Sequence, residues 1–369
     1  MRLHLVALPH SQTVEELTVC AFTTKTLKFC EMMAPLGYEV TLYSGERNDA
    51  KCAEHVPLYT TEEQARWYGE TDPNRLPSVA NFDVRSLPWR VFNGRAAAAV
   101  AERASKEDLL LILGGLAQAP VARGFPGISC EWAAGYDGIF SQRVCFESYA
   151  WQSYLYGKYN VGNGEGRWYD TVIPNFFRTE EFPEPDGRPR EYLLYLGRLI
   201  NRKGIAVANE VAKASGYPLV VAGSGCASYE GGRLVAEDGT VMEDVDYRGT
   251  VGAEERAELL LGARALLAPT TYVEPFGAVA VEAQLCGVPA ITTDWGAFPE
   301  TVAQGETGFR FRTLAEGVRA VERAADLDPT AVRESALARY SFDAVAPMYD
   351  EWFRRLQGLW GDGWYANGA

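Results

Sequence analysis

The sequence lacks the features that would indicate a membrane protein or a disulfide scaffold. No apolar run approaches the roughly 18 residues that span a bilayer, and the apolar start at residues 1–9 is too short for a signal peptide. The seven cysteines are odd in number and form no Cys-x-x-Cys pair, which favours reduced thiols. These absences predict a cytoplasmic protein without integral membrane contact.

Positive charge and histidine are also scarce. The formal net charge is -14 at pH 7, which argues against a general polyanion-binding surface because phosphate backbones are held by clustered Lys and Arg. A local basic groove is still compatible with this net charge. Of the three histidines, His4 lies within a predicted strand, His10 lies just after that strand, and His55 has Cys52 and Glu54 beside it. One Cys and one His are a weak metal signal, so we expect no bound metal.

What the sequence does contain is an alternation of strand-like and helix-like segments, which predicts parallel sheets covered by helices. A Pro- and Glu-rich stretch at residues 180–190 has the composition of a linker. We therefore predict two doubly wound α/β domains at residues 1–178 and 179–340, followed by a helix in residues 341–369. The predicted strands are residues 3–8, 39–43, 108–113, 127–130, 143–146, 170–175, 192–196, 218–222, 247–249, 265–268, 289–292 and 308–311.

Two stretches do not fit the alternation. Residues 48–93 look irregular, and no chemistry can be placed in them. Residues 223–246 are rich in Gly and resemble a hairpin insert.

Polar residues follow two predicted strands of the first domain. His10 comes after residues 3–8, and Glu131 comes directly after residues 127–130. Because open parallel sheets bind ligands at the carboxyl ends of their strands, both side chains are candidates for a site.

The stretch at residues 274–282 is the most informative in the second domain. It lies between a predicted strand and a predicted helix, with Pro275 near the first helical position. The amides of Phe276, Gly277 and Ala278 then form a helix N-terminus that can receive anionic or hydroxyl oxygens. The alternative is an ordinary capped helix.

Two carboxylates flank this helix N-terminus. At about 1.5 Å per residue, Glu282 lies roughly 12 Å beyond Glu274. The two cannot share one proton, but they can hold the two ends of an extended polar ligand.

A basic loop follows the first strand of the second domain. Arg198 and Lys203 lie five residues apart between glycines, and a planar guanidinium with a compact ammonium can clamp a diphosphate. The alternative is a solvated basic turn. Gly223 and Gly225, after the next strand, form a lone Gly-x-Gly, which is a weak signal.

In order and spacing these motifs resemble the retaining glycosyltransferases of family 4 (GT4), which have the GT-B fold. Residues 173–175 look like the interdomain signature of that family. The motifs that carry the resemblance are residues 197–204, 222–225, 274–277 with Glu282, and 287–309.

The resemblance implies two Rossmann-like domains facing a cleft that binds a nucleotide-diphosphate sugar. This UDP- or GDP-linked co-substrate would need no metal and no other cofactor. Arg198 and Lys203 would neutralise the diphosphate, Glu282 would hold the ribose, and Glu274 would contact the donor sugar. The other donor-binding residues that it implies are Gly223, Gly225, Pro275, Phe276, Gly277 and Ala278.

The first domain departs from the family pattern, because residues 9–13 replace the usual glycine-rich loop and Glu131 stands about where many relatives carry a histidine. His10 or Glu131 is expected to approach the reacting sugar or the acceptor. A glycan, lipid-linked or small-molecule hydroxyl is the first expectation for the acceptor. The alternatives are a hydroxymethylated base in DNA, for which the base would have to be flipped out, and a nucleotide-sugar epimerase reaction.

Overall fold

The computed structural model describes residues 1–17, 20–69, 83–161 and 165–359. The chain divides into two compact units, whereas the sequence placed one boundary near residue 178. The first unit contains Met1–Glu147, Leu155–Phe176 and Val345–Ala369, and the second contains Ser148–Tyr154 and Phe177–Ala344.

The first unit is built on a parallel sheet whose described strands run in the order β3-β2-β1-β4-β5-β6-β7. Its central strands are buried apolar segments, as expected for a parallel sheet covered on both faces. The strands are β1 (Arg2–Val6), β2 (Glu39–Gly45), β3 (Glu54–Tyr59), β4 (Leu109–Ile112), β5 (Ile128–Ala134), β6 (Val144–Phe146) and β7 (Thr171–Val172). The helices of this part of the chain are α1 (Ala21–Met33), α2 (Thr61–Tyr68), α3 (Leu87–Ala101), α4 (Ala119–Ala122) and α5 (Tyr149–Tyr159).

The stretch at residues 48–93 is not irregular, as the sequence suggested, because it contains β3, α2 and the start of α3. Residues 70–82 of this stretch lie outside the described part. A capping box begins α2: Thr60 Oγ1 accepts from the Glu63 amide at 3.1 Å, and Glu63 Oε2 accepts from the Thr60 amide at 3.1 Å. This Thr-x-x-Glu signal was readable in the sequence. Strand β3 was harder to recognise because it is a sheet edge, half exposed and interrupted by Pro57.

The second unit is built on a parallel sheet whose described strands run in the order β13-β9-β8-β14-β15-β16. The predicted hairpin insert is a separate antiparallel sheet of β10, β11 and β12. The strands are β8 (Tyr192–Leu196), β9 (Leu219–Ala222), β10 (Cys226–Glu230), β11 (Arg233–Ala236), β12 (Val241–Met242), β13 (Val245–Tyr247), β14 (Ala263–Ala268), β15 (Ala290–Thr293) and β16 (Gly308–Phe311). The remaining helices are α6 (Ile205–Ser215), α7 (Ala253–Leu261), α8 (Ala278–Leu285), α9 (Phe298–Thr301), α10 (Leu314–Arg323), α11 (Pro329–Tyr340) and α12 (Phe342–Gln357).

Aromatic side chains form part of the core of the first unit. The Phe29 ring on α1 lies 4.4 Å from the Trp132 ring on β5 and 5.4 Å from the Tyr349 ring on α12, measured between centroids. All three side chains are fully buried or nearly so, and edge-to-face and offset aromatic pairs add to the free energy of burial. The described part of α12 is thus packed into the core of the first unit.

Each sheet reverses its strand order between its first and fourth strands, at β1 and β4 in one unit and at β8 and β14 in the other. Ligands of open α/β sheets bind outside the carboxyl ends of the strands at such a switch point. In the second unit this places the loops after β8 and β14 side by side. None of the helices in the described ranges combines the length and hydropathy of a membrane-spanning segment.

Candidate functional site

Lys203 and Glu274 form an ion pair at the switch point of the second unit. Lys203 Nζ lies 2.7 Å from Glu274 Oε2 and 3.0 Å from Oε1. The Glu274 side chain is 10% exposed and the Lys203 side chain 30%. The Tyr272 ring lies beside this pair, with its centroid 5.2 Å from Lys203 Nζ. The structure therefore brings together two residues that the sequence had placed in separate motifs 71 positions apart.

The helix N-terminus begins later than predicted. Helix α8 starts at Ala278, so Pro275 lies in the preceding loop rather than in the first turn. Gly277 is the N-cap residue, with a left-handed φ of 80°. A Cβ atom at this position would stand 2.4 Å from the Phe298 ring, so the turn into the helix requires glycine on both conformational and steric grounds. Helix α8 starts later than predicted because the chain makes this left-handed turn before the helical dihedral angles begin.

The backbone amides at this turn keep their capacity to donate hydrogen bonds. Among the residues that the structure describes, no hydrogen bond is found from the amides of Phe276, Gly277 or Ala278. The Phe276 side chain is 2% exposed, and its ring packs 5.7 Å from that of Tyr340. Phe276 thus anchors the loop in the core, while its backbone stays at the helix N-terminus, where the helix dipole favours negative charge.

Glu282 lies on α8, one turn beyond the first residue of the helix. Its side chain is 13% exposed, and Oε2 lies 3.5 Å from Arg256 Nη1 but makes no hydrogen bond in the described structure. The 3.5 Å contact does not have the geometry of a hydrogen bond, so Oε2 keeps its capacity to accept one.

The loops after β8 and β9 lie in close backbone contact. The amide of Leu199 donates to the Ser224 carbonyl at 2.8 Å, and a Cβ atom on Gly223 would stand 1.8 Å from the carbonyl oxygen of Gly197. Gly225 likewise has a positive φ of 102°. These glycines allow close backbone contact between the two loops.

The Arg198 side chain is exposed, and no carboxylate in the described ranges lies within salt-bridge distance of it, so it is free to meet an anion.

Glu131 does not lie at a strand end, and its predicted position was wrong. Strand β5 continues to Ala134, so Glu131 is inside the sheet and 0% exposed. Its carboxylate accepts hydrogen bonds from the amides of Phe140 and Ser141, at 2.8 and 2.7 Å, and from the Tyr136 hydroxyl at 3.0 Å. Burial raises its pKa to about 7, although these hydrogen bonds act in the opposite direction. Glu131 holds the 136–141 loop rather than facing a ligand.

His10 lies beyond the end of β1, as predicted, but it is only 5% exposed. Its Nε2 is 3.5 Å from Cys20 Sγ. Burial raises the pKa of the Cys20 thiol, but the hydrogen bond and charge of His10 outweigh burial and bring it down to about 7. The His10 side chain is thus buried and contacts Cys20.

His55 has a structural environment. It lies on β3, with Nε2 2.9 Å from the Gly45 carbonyl oxygen and 3.1 Å from Ser44 Oγ. Within the described ranges, no group of three or more His, Cys, Asp or Glu side chains is placed to hold a metal ion.

The sequence-based site list omitted a buried ion pair in the first unit. Glu147 directly follows β6 and is 7% exposed, and Lys25 on α1 contacts its Oε1. A Cβ atom on Gly135 would lie 2.5 Å from Glu147 Oε2, so the carboxylate is closely enclosed. The strand-end position of Glu147 was visible in the sequence, but nothing marked Lys25 on its helix as the partner.

The fold of the two units, with their Rossmann-like strand order, is that of the GT-B glycosyltransferases. The structure is similar to that of AviGT4, a glycosyltransferase involved in avilamycin A biosynthesis, with a TM-score of 0.63 and 20% identity over 97% of this chain and 98% of that one. It is also similar to sucrose-phosphate synthase from Thermosynechococcus elongatus, with a TM-score of 0.68 and 19% identity over 96% of this chain and 99% of that one. The prediction of a GT-B fold is confirmed.

Residues 177–327, which contain the Lys203–Glu274 pair and helix α8, match the family Glycosyl transferases group 1. A D-inositol 3-phosphate glycosyltransferase of Streptomyces avermitilis is 34% identical over 141 residues, which is 38% of this chain and 29% of that protein. A glycogen synthase of Mycobacterium tuberculosis is 33% identical over 180 residues, 46% of this chain and 42% of that protein. The chain thus spans less than half the length of these relatives. The GT4-type resemblance is confirmed by these matches.

Proposed function

We propose that this protein is a retaining glycosyltransferase that moves a hexosyl or pentosyl group from a UDP- or GDP-linked donor to an acceptor hydroxyl. The observation that carries the proposal is the Lys203–Glu274 pair beside the open N-terminus of α8, within the segment that matches the glycosyltransferase family. Positive charge, free amides and carboxylates at one switch point suit a ligand with a diphosphate and several hydroxyl groups.

Lys203 and Arg198 are proposed to hold the diphosphate. As the bond to the sugar breaks, negative charge develops on the departing diphosphate, and cations already in place lower the free energy of that charge. Lys203 is fixed by Glu274 and by the Tyr272 ring before any ligand arrives. The dipole of α8 adds positive potential at the Gly277 turn.

The carboxylates are proposed to bind hydroxyl groups. Glu282 Oε2, which makes no hydrogen bond, would accept from the ribose, and Glu274 would accept from the donor sugar. The acceptor hydroxyl would attack the face of the sugar that the diphosphate leaves, which retains the anomeric configuration. The protein cations would replace a metal ion in this reaction.

The acceptor is proposed to be a glycan, a lipid-linked sugar or a small molecule. The matched relatives include a glycogen synthase and a phosphatidyl-myo-inositol mannosyltransferase of Mycobacterium tuberculosis, and a similarly folded protein of Anabaena, HepE, was crystallised with UDP and glucose. No observation favours modified DNA or epimerisation over these acceptors.

The test is thermal stabilisation against a panel of nucleotides and nucleotide sugars. A ligand at 100 times its dissociation constant stabilises the folded protein by about 2.7 kcal/mol, and we expect one nucleotide to do so selectively. Lys203→Ala and Glu282→Gln should reduce the stabilisation, whereas Lys213→Ala should not, because Lys213 pairs with the exposed Asp244 on the surface.

Turnover is then measured with the selected donor and a set of acceptors, and NMR of the product gives its anomeric configuration. An inverted product would overturn the retaining mechanism. No stabilisation by any nucleotide, with no transfer to any acceptor, would overturn the proposed activity.

A further inference from the structure

A concave pocket in the second unit is rich in arginine. It lies along the free edge of β16, beside α10, and its volume is about 310 Å³. Here it is called the arginine pocket and is defined by its charged residues Asp294, Arg310, Arg312, Glu316, Arg319 and Arg323.

Two of the four guanidinium groups are held in place by one carboxylate. Asp294 accepts from Arg310 Nε at 3.0 Å and from Arg312 Nε at 3.1 Å. Burial raises the pKa of Asp294, but hydrogen bonds from the two arginines outweigh it and bring the pKa below its usual value. The other acidic residue, Glu316, accepts from the amides of Arg312 and Thr313, at 2.8 and 3.1 Å, as part of a capping box. Both carboxylates are therefore committed to the structure of the pocket.

The other two guanidinium groups, those of Arg319 and Arg323, are not held by a carboxylate among the described residues. Arg319 and Arg323 are exposed and lie one turn apart on α10, so their side chains leave the same face of the helix. In the described ranges, no carboxylate lies within salt-bridge distance of either one. Arg323 is oriented by the Phe309 ring, whose centroid lies 4.7 Å from its Cζ. The pocket thus has unpaired positive charge in a chain whose net charge is -14.

The arginine pocket and the donor site proposed above are built on different strands of the sheet. Strand β16 is at one edge of the sheet, whereas β9, which precedes Gly223 and Gly225, is next to the opposite edge. Lys203 and Glu274 follow β8 and β14 in the middle of the sheet.

We propose that the arginine pocket binds a small phosphorylated molecule, with the phosphate between Arg319 and Arg323. Guanidinium forks match the oxygens of a phosphate group better than any other side chain does. The volume is at the lower end of the range for small-molecule sites, which suits a phosphate with a body of sugar size. The fixed Arg310 and Arg312 would donate hydrogen bonds to the polar atoms of that body.

The test is binding of inorganic phosphate, pyrophosphate and a hexose phosphate, measured by calorimetry and thermal stabilisation at constant ionic strength. The double variant Arg319→Gln/Arg323→Gln should bind the hexose phosphate at least roughly tenfold more weakly, which corresponds to about 1.4 kcal/mol. Arg319→Lys, which keeps the charge but loses the fork, should show part of that loss. Both arginines are exposed, so the substitutions should leave the fold intact. Circular dichroism and thermal melting of the variants without ligand verify their folding.

Arg233→Gln is the matched control, because Arg233 is an exposed arginine of the same unit that pairs with Glu243 on the surface. Binding of the hexose phosphate should be unchanged in this variant and in Lys203→Ala, which alters only the proposed donor site. Loss of phosphate binding in Lys203→Ala but not in the double variant would place the phosphate at the donor site and overturn the proposal. Equal binding by all variants, or none by the unmodified protein, would also overturn it. These outcomes do not depend on glycosyl transfer.

Discussion

Lys203 donates to both carboxylate oxygens of Glu274, at 2.7 and 3.0 Å, so the cation proposed to meet the diphosphate is already neutralised by a neighbouring anion. A ligand phosphate must therefore share this ammonium group with Glu274 or displace it from that contact. The carboxylate, being nearly buried, keeps Lys203 in position at the cost of some of its attraction for an anion.

This relationship predicts opposite effects of two substitutions on nucleotide binding. Glu274→Gln leaves Lys203 without its anionic partner, so UDP or GDP should bind as tightly as before or tighter, by on the order of 1 kcal/mol, while turnover falls. Lys203→Met removes the cation and should weaken binding by a similar amount or more. Calorimetry with the nucleoside diphosphate measures both. Equal weakening in the two variants would mean that Glu274 itself contacts the nucleotide.

Glu282 is predicted to recognise the ribose. Because its Oε2 makes no hydrogen bond in the described structure, the unmodified protein should prefer a ribonucleotide to the 2′,3′-dideoxynucleotide by roughly 1–2 kcal/mol. In Glu282→Gln this preference should shrink, because an amide can no longer offer two anionic acceptor oxygens. Glu258→Gln serves as the control, since Glu258 pairs with Arg188 at the surface. A preference that persists in Glu282→Gln would exclude this role.

Gly277→Ala should destabilise the protein by roughly 1–3 kcal/mol. The new Cβ atom would be only 2.4 Å from the Phe298 ring, and the residue would have to keep a φ of 80°. Gly252→Ala is a matched control, because Gly252 is the N-cap residue of α7 with a φ of -74° and nothing within 4 Å of a Cβ atom. Urea denaturation compares the two, and an equal loss of stability would show that the Gly277 turn is not restricted to glycine.

Glu131→Gln should change how stability depends on pH. Burial raises the pKa of the Glu131 carboxyl from 4.5 to about 7, so the folded protein binds this proton more tightly than the unfolded chain. The contribution of Glu131 to stability is therefore full below pH 4.5 and is lost as the pH rises to about 7. The loss is on the order of 3 kcal/mol at most.

Glutamine has the same shape, and the Tyr136 hydroxyl can accept from its amide in place of donating to the carboxylate. The free energy of unfolding of the variant, relative to the unmodified protein, should thus increase between about pH 5 and about pH 8. Urea denaturation at both pH values measures this difference. A difference that does not vary with pH would show that Glu131 ionises normally in the folded protein.

Local patterns predicted the alternation of the second unit well, because β8 and β9 are short apolar segments bounded by turn residues. The same reasoning failed at Glu131, since the end of a strand depends on its neighbours: β5 continues past that residue beside β6. It also failed at Pro275, because helix α8 begins only after the left-handed turn at Gly277.

The sequence by itself determined two doubly wound sheets and the loops that follow their strands, because hydrophobic periodicity and turn residues act over a few neighbouring positions. Only the tertiary structure decided that Lys203 pairs with Glu274, that Glu131 is buried, and that arginines of β16 and α10 line one pocket. These outcomes depend on strand order and helix packing, which bring distant residues together. Ion pairing and desolvation act at distances of a few ångströms in space, whatever the separation along the chain.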